Sequence, residues 1–525
     1  MSIDKLFNIL KSEDDSVNIT DILSKLNENG IKNDDPRISS IYKKIQEKNE
    51  NFDTNEIYID YNNFKQLLEG NIFFINRVIG KELIIHDFNT LKINIKNIYN
   101  KIIENKEGDV ASYIPQLSRV DPDKLAISIC TVSGQRFSVG NFDEYFCVQS
   151  TCKPINYLIS LEDFTPDEIH KYVGKEPSGS RFNALMLNEN GKPHNPLINA
   201  GAIMVCSLLK KHLETTPGER FENILKSWNN ACGNIKKVSF SNATYLSERK
   251  TADRNFALAY FMREINDNKK IGFPDGTDII EILELYFQCC SIEITCEMMS
   301  IVASTLANGG VCPLTNEKIW DPVSVKNCLS LMASCGMYDY SGEFGFRMGF
   351  PAKSGVSGAI MIVIPGVMGI CTWSPRLDKY GNSVRGIHFC NLINEIYNFH
   401  QYNICSEGSK EKEKDPRLDQ KKENNLNINT ACYLASQGEL EQLQSLYVRG
   451  FYLNQGDYDG RTPLHLASSE NKIDVVIFLV ETCNCNINAV DRWSNTPLDD
   501  SERENNTEVK NYLLSKNAKK FSEIP

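Results

Sequence analysis

Between residues 407 and 423 the chain carries twelve charged side chains of both signs, with Pro416 among them. A stretch with so little apolar surface cannot offset the entropy of ordering itself, so it reads as a linker, and the chain must fold as separate bodies on either side. At 525 residues it also exceeds what one ordinary core organises. Changes in texture set the expected boundaries. They are a helical N-terminal region over 1–100, a mixed region over 101–405, the charged linker over 406–425, and a repeat region over 426–525.

The repeat is explicit. Thr462-Pro463-Leu464-His465-Leu466-Ala467 is echoed by Thr496-Pro497-Leu498 after 34 residues, and each copy follows a turn, at Asp459-Gly460 and Asp491-Arg492. Asp474 to Val480 supplies the apolar helix between them, and Ala435 begins a degenerate earlier copy. One such unit cannot bury its own apolar face, so the copies must stack. The pattern resembles ankyrin repeats, which implies an interaction module whose protein partner the sequence does not name.

In the N-terminal region Leu6, Ile9 and Leu10, then Ile22, Leu23 and Leu26, recur at helical spacing. Asp53, Asn55 and Asp60 suggest a calcium loop. The mid-loop glycine is missing, however, and Phe64 stands where the twelfth-position glutamate belongs. The region is expected to be a degenerate EF-hand-like helical domain that binds no calcium.

Residues 101–405 alternate between strand and helix signals. Leu125 to Val132 is a β run stopped by Ser133-Gly134, and a second run from Arg136 makes it a hairpin. Ala359 to Ile364 and Val367 to Trp373 are two more strands around Pro365-Gly366, while Ile279 to Cys290 and Glu297 to Leu306 read as helices. Strands at both ends of a helical middle predict a mixed α/β domain with helices packed on an antiparallel sheet.

Charge and cysteine usage exclude several classes. Lys and Arg total 57 against 68 Asp and Glu, without a basic stripe, so no nucleic-acid backbone is an expected partner. The 17 cysteines show no zinc or disulfide spacing, which fits thiols in a reducing compartment and no metal site. The most apolar stretch, Gly358 to Cys371, is broken by Pro365-Gly366 and falls short of the ~18 residues of a membrane span.

Candidate chemistry begins at Ser150-Thr151-Cys152-Lys153. Residues three apart on a helix share a face, so the Lys153 amine can reach the Ser150 hydroxyl. Serine needs an adjacent base, and a lysine kept neutral by burial can be one. A helix start adds free N–H groups for a developing oxyanion. The spacing alone is weak, since Ser40-Lys43, Ser247-Lys250 and Ser409-Lys412 share it. Only Ser150-Lys153 lies between apolar runs, Tyr145 to Val148 before it and Tyr157 to Ile159 after it. Lys353-Ser354-Gly355, just ahead of the Ala359 strand, completes a pairing known from penicillin-binding proteins and serine β-lactamases.

Longer motifs sharpen this. Y-I-P-Q-L at Tyr113 to Leu117, F-C-V-Q-S-T-C-K-P at Phe146 to Pro154 and Y-V-G-K-E-P-S-G at Tyr172 to Gly179 are followed by K-P-H-N-P-L-I-N-A-G-A at Lys192 to Ala202. Then come F-S-N-A-T-Y-L-S-E-R at Phe240 to Arg249, D-R-N-F-A at Asp253 to Ala257, Y-F-Q-C-C-S-I-E at Tyr286 to Glu293, C-G-M-Y-D at Cys335 to Asp339, and P-A-K-S-G-V-S-G at Pro351 to Gly358. In this order they resemble the glutaminase family in its animal kidney- and liver-type form, and the flanking helical and ankyrin regions match that architecture.

The resemblance implies a β-lactamase-like catalytic domain acting on L-glutamine, with Ser150 as nucleophile, Lys153 as base and Tyr338 relaying a proton to the leaving ammonia. Backbone N–H groups of Ser150 and Val356 would form the oxyanion hole, and Tyr113, Asn199, Glu248, Asn255 and Tyr286 would hold the amino-acid end. Other readings stay open: Asn199 as a helix cap, Glu248 paired with Arg249 or Arg254, and the tyrosines as core aromatics. Phe182 to Leu187 resembles the family's regulatory loop, with Met186 where an aromatic is usual. No cofactor is implied. Inorganic phosphate is the expected activator and a dimer, tetramer or filament the expected assembly. The compartment is mitochondrial by resemblance, or cytosolic if the chain is complete, since no presequence is visible. Two rivals remain: a penicillin-recognising hydrolase would need export, and an inactive ankyrin scaffold would need damage at Ser150, Lys153 or Tyr338.

Overall fold

The structure is a computed structural model of the chain. It describes all residues except 1–5, 8–9, 13, 49–57, 69–70, 81, 180–183, 210–215, 268–271, 403–427, 449–450 and 525. Ile9, Asp53, Asn55, Phe182, Asn183 and the charged linker from 406 to 425 therefore lie outside the described residues. Two compact units emerge, one of 19–57 with 67–415 and the other of 1–18, 58–66 and 416–525.

The larger unit is built on a five-stranded sheet of β1 (Ala126–Thr131), β2 (Arg136–Gly140), β6 (Ala352–Ser354), β7 (Ala359–Ile364) and β8 (Met368–Trp373). Its order is β2-β1-β8-β7-β6, antiparallel throughout. A smaller sheet joins β3 (Tyr145–Cys147), β5 (Ile292–Thr295) and β4 (Ser239–Phe240) in the order β3-β5-β4. The expected hairpin and the strand pair around Pro365-Gly366 are both present.

Helices cover the large sheet on both faces. Ala359, Met361 and Val363 of β7 join a core shared with α3 (Cys152–Asp163) and α8 (Cys296–Ala307). The alternate residues Ile360, Ile362 and Ile364 pack with α2 (Phe88–Ile102), α10 (Ser341–Met348) and α11 (Val384–Ile396). Burial on both faces explains why β7 is an unbroken apolar run although its neighbours are antiparallel. At Gly369 on β8 a Cβ would lie 2.0 Å from the Ser304 nitrogen, so the α8 backbone rests directly on the sheet. On the α8 side, α4 (Asn199–Leu208), α5 (Asn242–Lys250), α6 (Asp253–Asp267), α7 (Ile279–Cys290) and α9 (Pro322–Cys335) complete the helical layer.

The segment after α1 (Ile19–Glu28) is bound into this unit by charge. Arg136 on β2 is 2 % exposed. Its guanidinium meets Asp34 at 2.6 Å and Glu297 of α8 at 3.3 Å, and Lys32 reaches Glu297 at 2.7 Å. Backbone pairing of the Arg136 N–H with the Gly30 carbonyl at 2.7 Å fixes the register.

In the smaller unit the 34-residue repeat is structural. Asp457 Oδ1 accepts from the N–H groups of Asp459 and Arg461, and Asp491 Oδ1 does the same for Trp493 and Asn495. Thr462 and Thr496 each open a helix, Pro463–Ser469 and Pro497–Arg503. His465 bonds the Asn495 carbonyl at 3.1 Å and Arg461 bonds Asp500 at 2.6 Å, tying one copy to the next. The helix expected over Asp474 to Val480 is present as Ile473–Ile477 and then widens to a π turn over Phe478–Thr482. No helix among the described residues is long and apolar enough to cross a membrane.

Removing one member of a buried charge network strands the others. Glu297→Ala should lower the stability of the larger unit by about 3 kcal/mol, read as an earlier urea midpoint. An unchanged midpoint would mean that water already screens Arg136.

Candidate active site

Ser150 sits where a strand ends and a helix begins. Val148, just beyond β3, donates its N–H to the Ile292 carbonyl at 2.8 Å, which pins the strand end. Gln149 then takes a left-handed backbone with φ +48°, and a single 3₁₀ turn, Gln149–Thr151, runs into α3. The Thr151 hydroxyl donates to the Val148 carbonyl at 2.6 Å and closes that turn. Ser150 is therefore in the turn before the helix, ahead of its first residue, Cys152.

Lys153 lies one turn on and is 1 % exposed. Its amine donates to Asn199 Oδ1 at 2.7 Å, and the Asn199 amide donates to Asn255 Oδ1 at 3.1 Å. Burial pushes the Lys153 amine below the usual lysine range, with the Cys290, Cys152 and Cys206 thiols opposing. Asn199 is the first residue of α4 and its side chain caps nothing. The cap reading is thereby replaced by a bond to Lys153.

A second cluster adjoins the first through Gln149. Glu248 on α5, 8 % exposed, accepts from the Tyr113 hydroxyl at 2.7 Å and from the Gln149 amide at 2.9 Å. Burial raises its pKa against those two donors. Arg249 turns away to Glu284 at 3.2 Å, so it is not the partner of Glu248. Tyr113 is half exposed, with its hydroxyl pushed well up by burial and by the Glu248 charge. Tyr286 on α7 is buried, its phenol pushed well up by burial and then by Cys290.

Tyr338 closes the other side. It opens the 3₁₀ turn Tyr338–Tyr340 with φ +53°. Burial pushes its phenol up, and the neighbouring Ser150 opposes the push. Val356 follows the β6 edge at Gly355, where a Cβ would lie 2.9 Å from the Val148 carbonyl, so this loop rests on the Ser150 turn. A Cβ on Gly381 would meet both the Tyr338 ring at 3.7 Å and Val356 at 4.0 Å. Beside Tyr338 a cavity of about 370 Å³ opens between Ser178, Asn195 and Asp339. Leu185 and Met186 are exposed on the chain that follows the undescribed residues 180–183.

Two hydrogen-bonded clusters result, Lys153 with Asn199 and Asn255, and Glu248 with Tyr113 and Gln149, and Ser150 follows Gln149 directly in the chain. Sequence reasoning passed over Gln149, although it precedes the serine, and noted Lys353 without a partner. Lys353 is fully buried, with its amine 4.5 Å from the centre of the Tyr338 ring. Among the described residues no group of acidic, histidine and cysteine side chains could hold a metal ion.

The chain is similar to known proteins along most of its length. The family model for glutaminase matches residues 108–402, that for an EF-hand domain residues 2–86, and that for ankyrin repeats residues 430–523. The liver isoform of mitochondrial glutaminase from Mus musculus is 42 % identical over 97 % of this chain and 83 % of its own length. A glutaminase from a Nostoc species is 41 % identical over 60 % of this chain and 92 % of its own. The solved structure of Mglu in its glutamate form superposes with a TM-score of 0.54 at 32 % identity, covering 58 % of this chain and 68 % of that one. With a β-lactamase-like mixed α/β domain between an EF-hand helical region and ankyrin repeats, the chain belongs to the glutaminase family, enzymes that hydrolyse glutamine.

Proposed function

We propose that the chain hydrolyses the side-chain amide of L-glutamine through an ester on Ser150. The observation that carries this reading is the Lys153 amine, desolvated one turn from Ser150 and bonded to a neutral amide oxygen. An amine held in this way favours its neutral form and can accept the Ser150 proton as Oγ attacks the amide carbon. The N–H groups of Ser150 and Val356 hold the oxyanion that develops, a contribution worth roughly 10²–10³ in rate per donor. Collapse breaks the C–N bond while the Tyr338 hydroxyl passes a proton to the departing nitrogen and takes up the one held by Lys153, giving ammonia, a glutamyl ester and a neutral amine again. Water then gives a proton to Lys153 and attacks the ester, and the return of that proton to Oγ frees glutamate and restores the serine.

Glu248, with Tyr113 beside it, suits the substrate ammonium. Asn199, Asn255 and Tyr286 supply neutral donors for its carboxylate. The scheme uses no metal or organic cofactor. On the family resemblance we further propose activation by inorganic phosphate, assembly into dimers, tetramers or filaments, a mitochondrial setting, and an ankyrin region that binds a protein partner. The domain limits 1–100, 101–405, 406–425 and 426–525 belong to the same reading.

Ser150→Ala should lower ammonia release from glutamine at least about a thousandfold. The assay pairs glutamine with asparagine, with and without phosphate, and undiminished release by the variant would remove the reading. Glu248→Gln should raise KM for glutamine by roughly 10–100-fold, the worth of a charge-assisted hydrogen bond. It should also stabilise the fold at high pH. A buried carboxyl whose pKa is raised favours folding below the usual carboxylate range, and that help is lost as pH rises through its folded value. The neutral amide should therefore raise the melting temperature at pH 8 and leave it near wild type at pH 4. An equal effect at both pH values would show that Glu248 is well solvated.

A further inference from the structure

Lys353 enters none of the steps above, yet among the described residues it is fully buried, as Lys153 is, and its surroundings are specific. It lies on β6, the edge strand of the large sheet, and is inaccessible to solvent. Its amine donates to the Gly336 carbonyl at 3.1 Å and to the Ser354 carbonyl at 2.7 Å. The face of the Tyr338 ring, 4.5 Å away, lies on a third side. Two carbonyl oxygens and one π face thus surround the N–H groups of the amine.

Each contact bears on the placement of Tyr338. Gly336 lies two residues before it, and its carbonyl also accepts from the Ser354 N–H at 3.1 Å, which welds the turn to the strand edge. A Cβ on Gly336 would lie 1.8 Å from the Ala352 carbonyl, so turn and strand touch through backbone alone. The Ser341 hydroxyl accepts from the Met337 N–H at 2.9 Å and donates to the Tyr338 carbonyl at 2.6 Å, clamping the far side. Tyr338 meanwhile holds φ +53°, a conformation a tyrosine keeps only when its surroundings over-determine it.

We propose that Lys353 is a positioning residue for the reaction: through the Gly336 carbonyl and the Tyr338 ring face, its amine seats the strained turn so that the phenol points at Ser150. This rests on the Ser150–Lys153–Tyr338 reading above. It gives the Lys-Ser-Gly motif a task within the protein, distinct from contact with substrate. Burial and the nearby Lys153 push the Lys353 amine well below the usual lysine range, which makes the cluster costly unless it is kept for function.

The test is a double-mutant cycle on the full-length chain, measured as kcat and KM for glutamine. Lys353→Met removes the amine at nearly constant length. It should lower kcat by about 100-fold, the scale of a displacement near 1 Å, and leave KM within about threefold. In a Tyr338→Phe background, where no phenol remains to be aimed, the same change should cost less than about threefold. Should Lys353→Met fail to fold, Lys353→Leu, which likewise offers no donor to Gly336, serves in the same cycle. A kcat near wild type for either folded variant, or equal losses in both Tyr338 backgrounds, would overturn the proposal. Ser150→Ala, run beside them, separates the failures. If it stays active the underlying mechanism has failed, whereas a normal dependence on Ser150 with additive Lys353 losses defeats this inference alone.

Discussion

Taking an amine out of water costs several kcal/mol unless it sheds its proton or finds enough acceptors, and the larger unit buries such an amine, that of Lys153. Lys153 projects from a helix buried along most of its length between the sheet and the helical layer, with one amide oxygen to receive it. That burial requires the rest. The sheet must be covered on both faces, the α8 backbone must sit on Gly369, and Val148 must be tied to Ile292 just before the chain turns into the helix. Loosening any of these lets water reach the amine, and a hydrated amine is protonated at neutral pH.

How much of this was legible depended on whether the signal was local. The strands from Ala126 and Ala359 and the helix Ile279–Cys290 were readable because continuous apolar runs and helical periodicity are written in neighbouring residues. The ankyrin region was readable because its turns repeat at a fixed offset, each with an aspartate accepting from two N–H groups. Hidden from a single sequence were pairings across long separations: Lys153 with Asn199, Tyr113 with Glu248, Arg136 with Asp34 and Glu297. Nothing in the composition of Gln149 or Tyr338 announces a left-handed backbone, since neither is a glycine or an asparagine. The site residues came instead from motif order, and motif order says which residues matter without saying what each one touches.

Charge outside the site has a structural role. Arg136, Asp34, Glu297 and Lys32 join three elements far apart in the chain: a loop after the first helix, an edge strand of the large sheet and the helix beneath that sheet. Ionic clusters of this kind contribute little net stability compared with apolar packing, yet they tolerate few alternative arrangements. The segment from Gly30 to Arg37 is thereby part of the larger unit's interior wiring, with Gly30 supplying a carbonyl to β2 and Arg37 bonding the Ser133 carbonyl at 2.8 Å.

Two residues with inverted backbone torsion flank the serine, one immediately before it in sequence and one facing it across the site. Each such residue carries roughly 1–3 kcal/mol of strain. Relaxing either would swing its side chain through a wide arc, so the tension is inseparable from the aim. For anyone seeking a hardier version of this enzyme, glycine or asparagine at these two places is the tempting exchange, and it is the one to refuse. Durability gained there would be drawn from the side chains themselves, the Gln149 amide bonded to Glu248 and the Tyr338 ring beside Lys353.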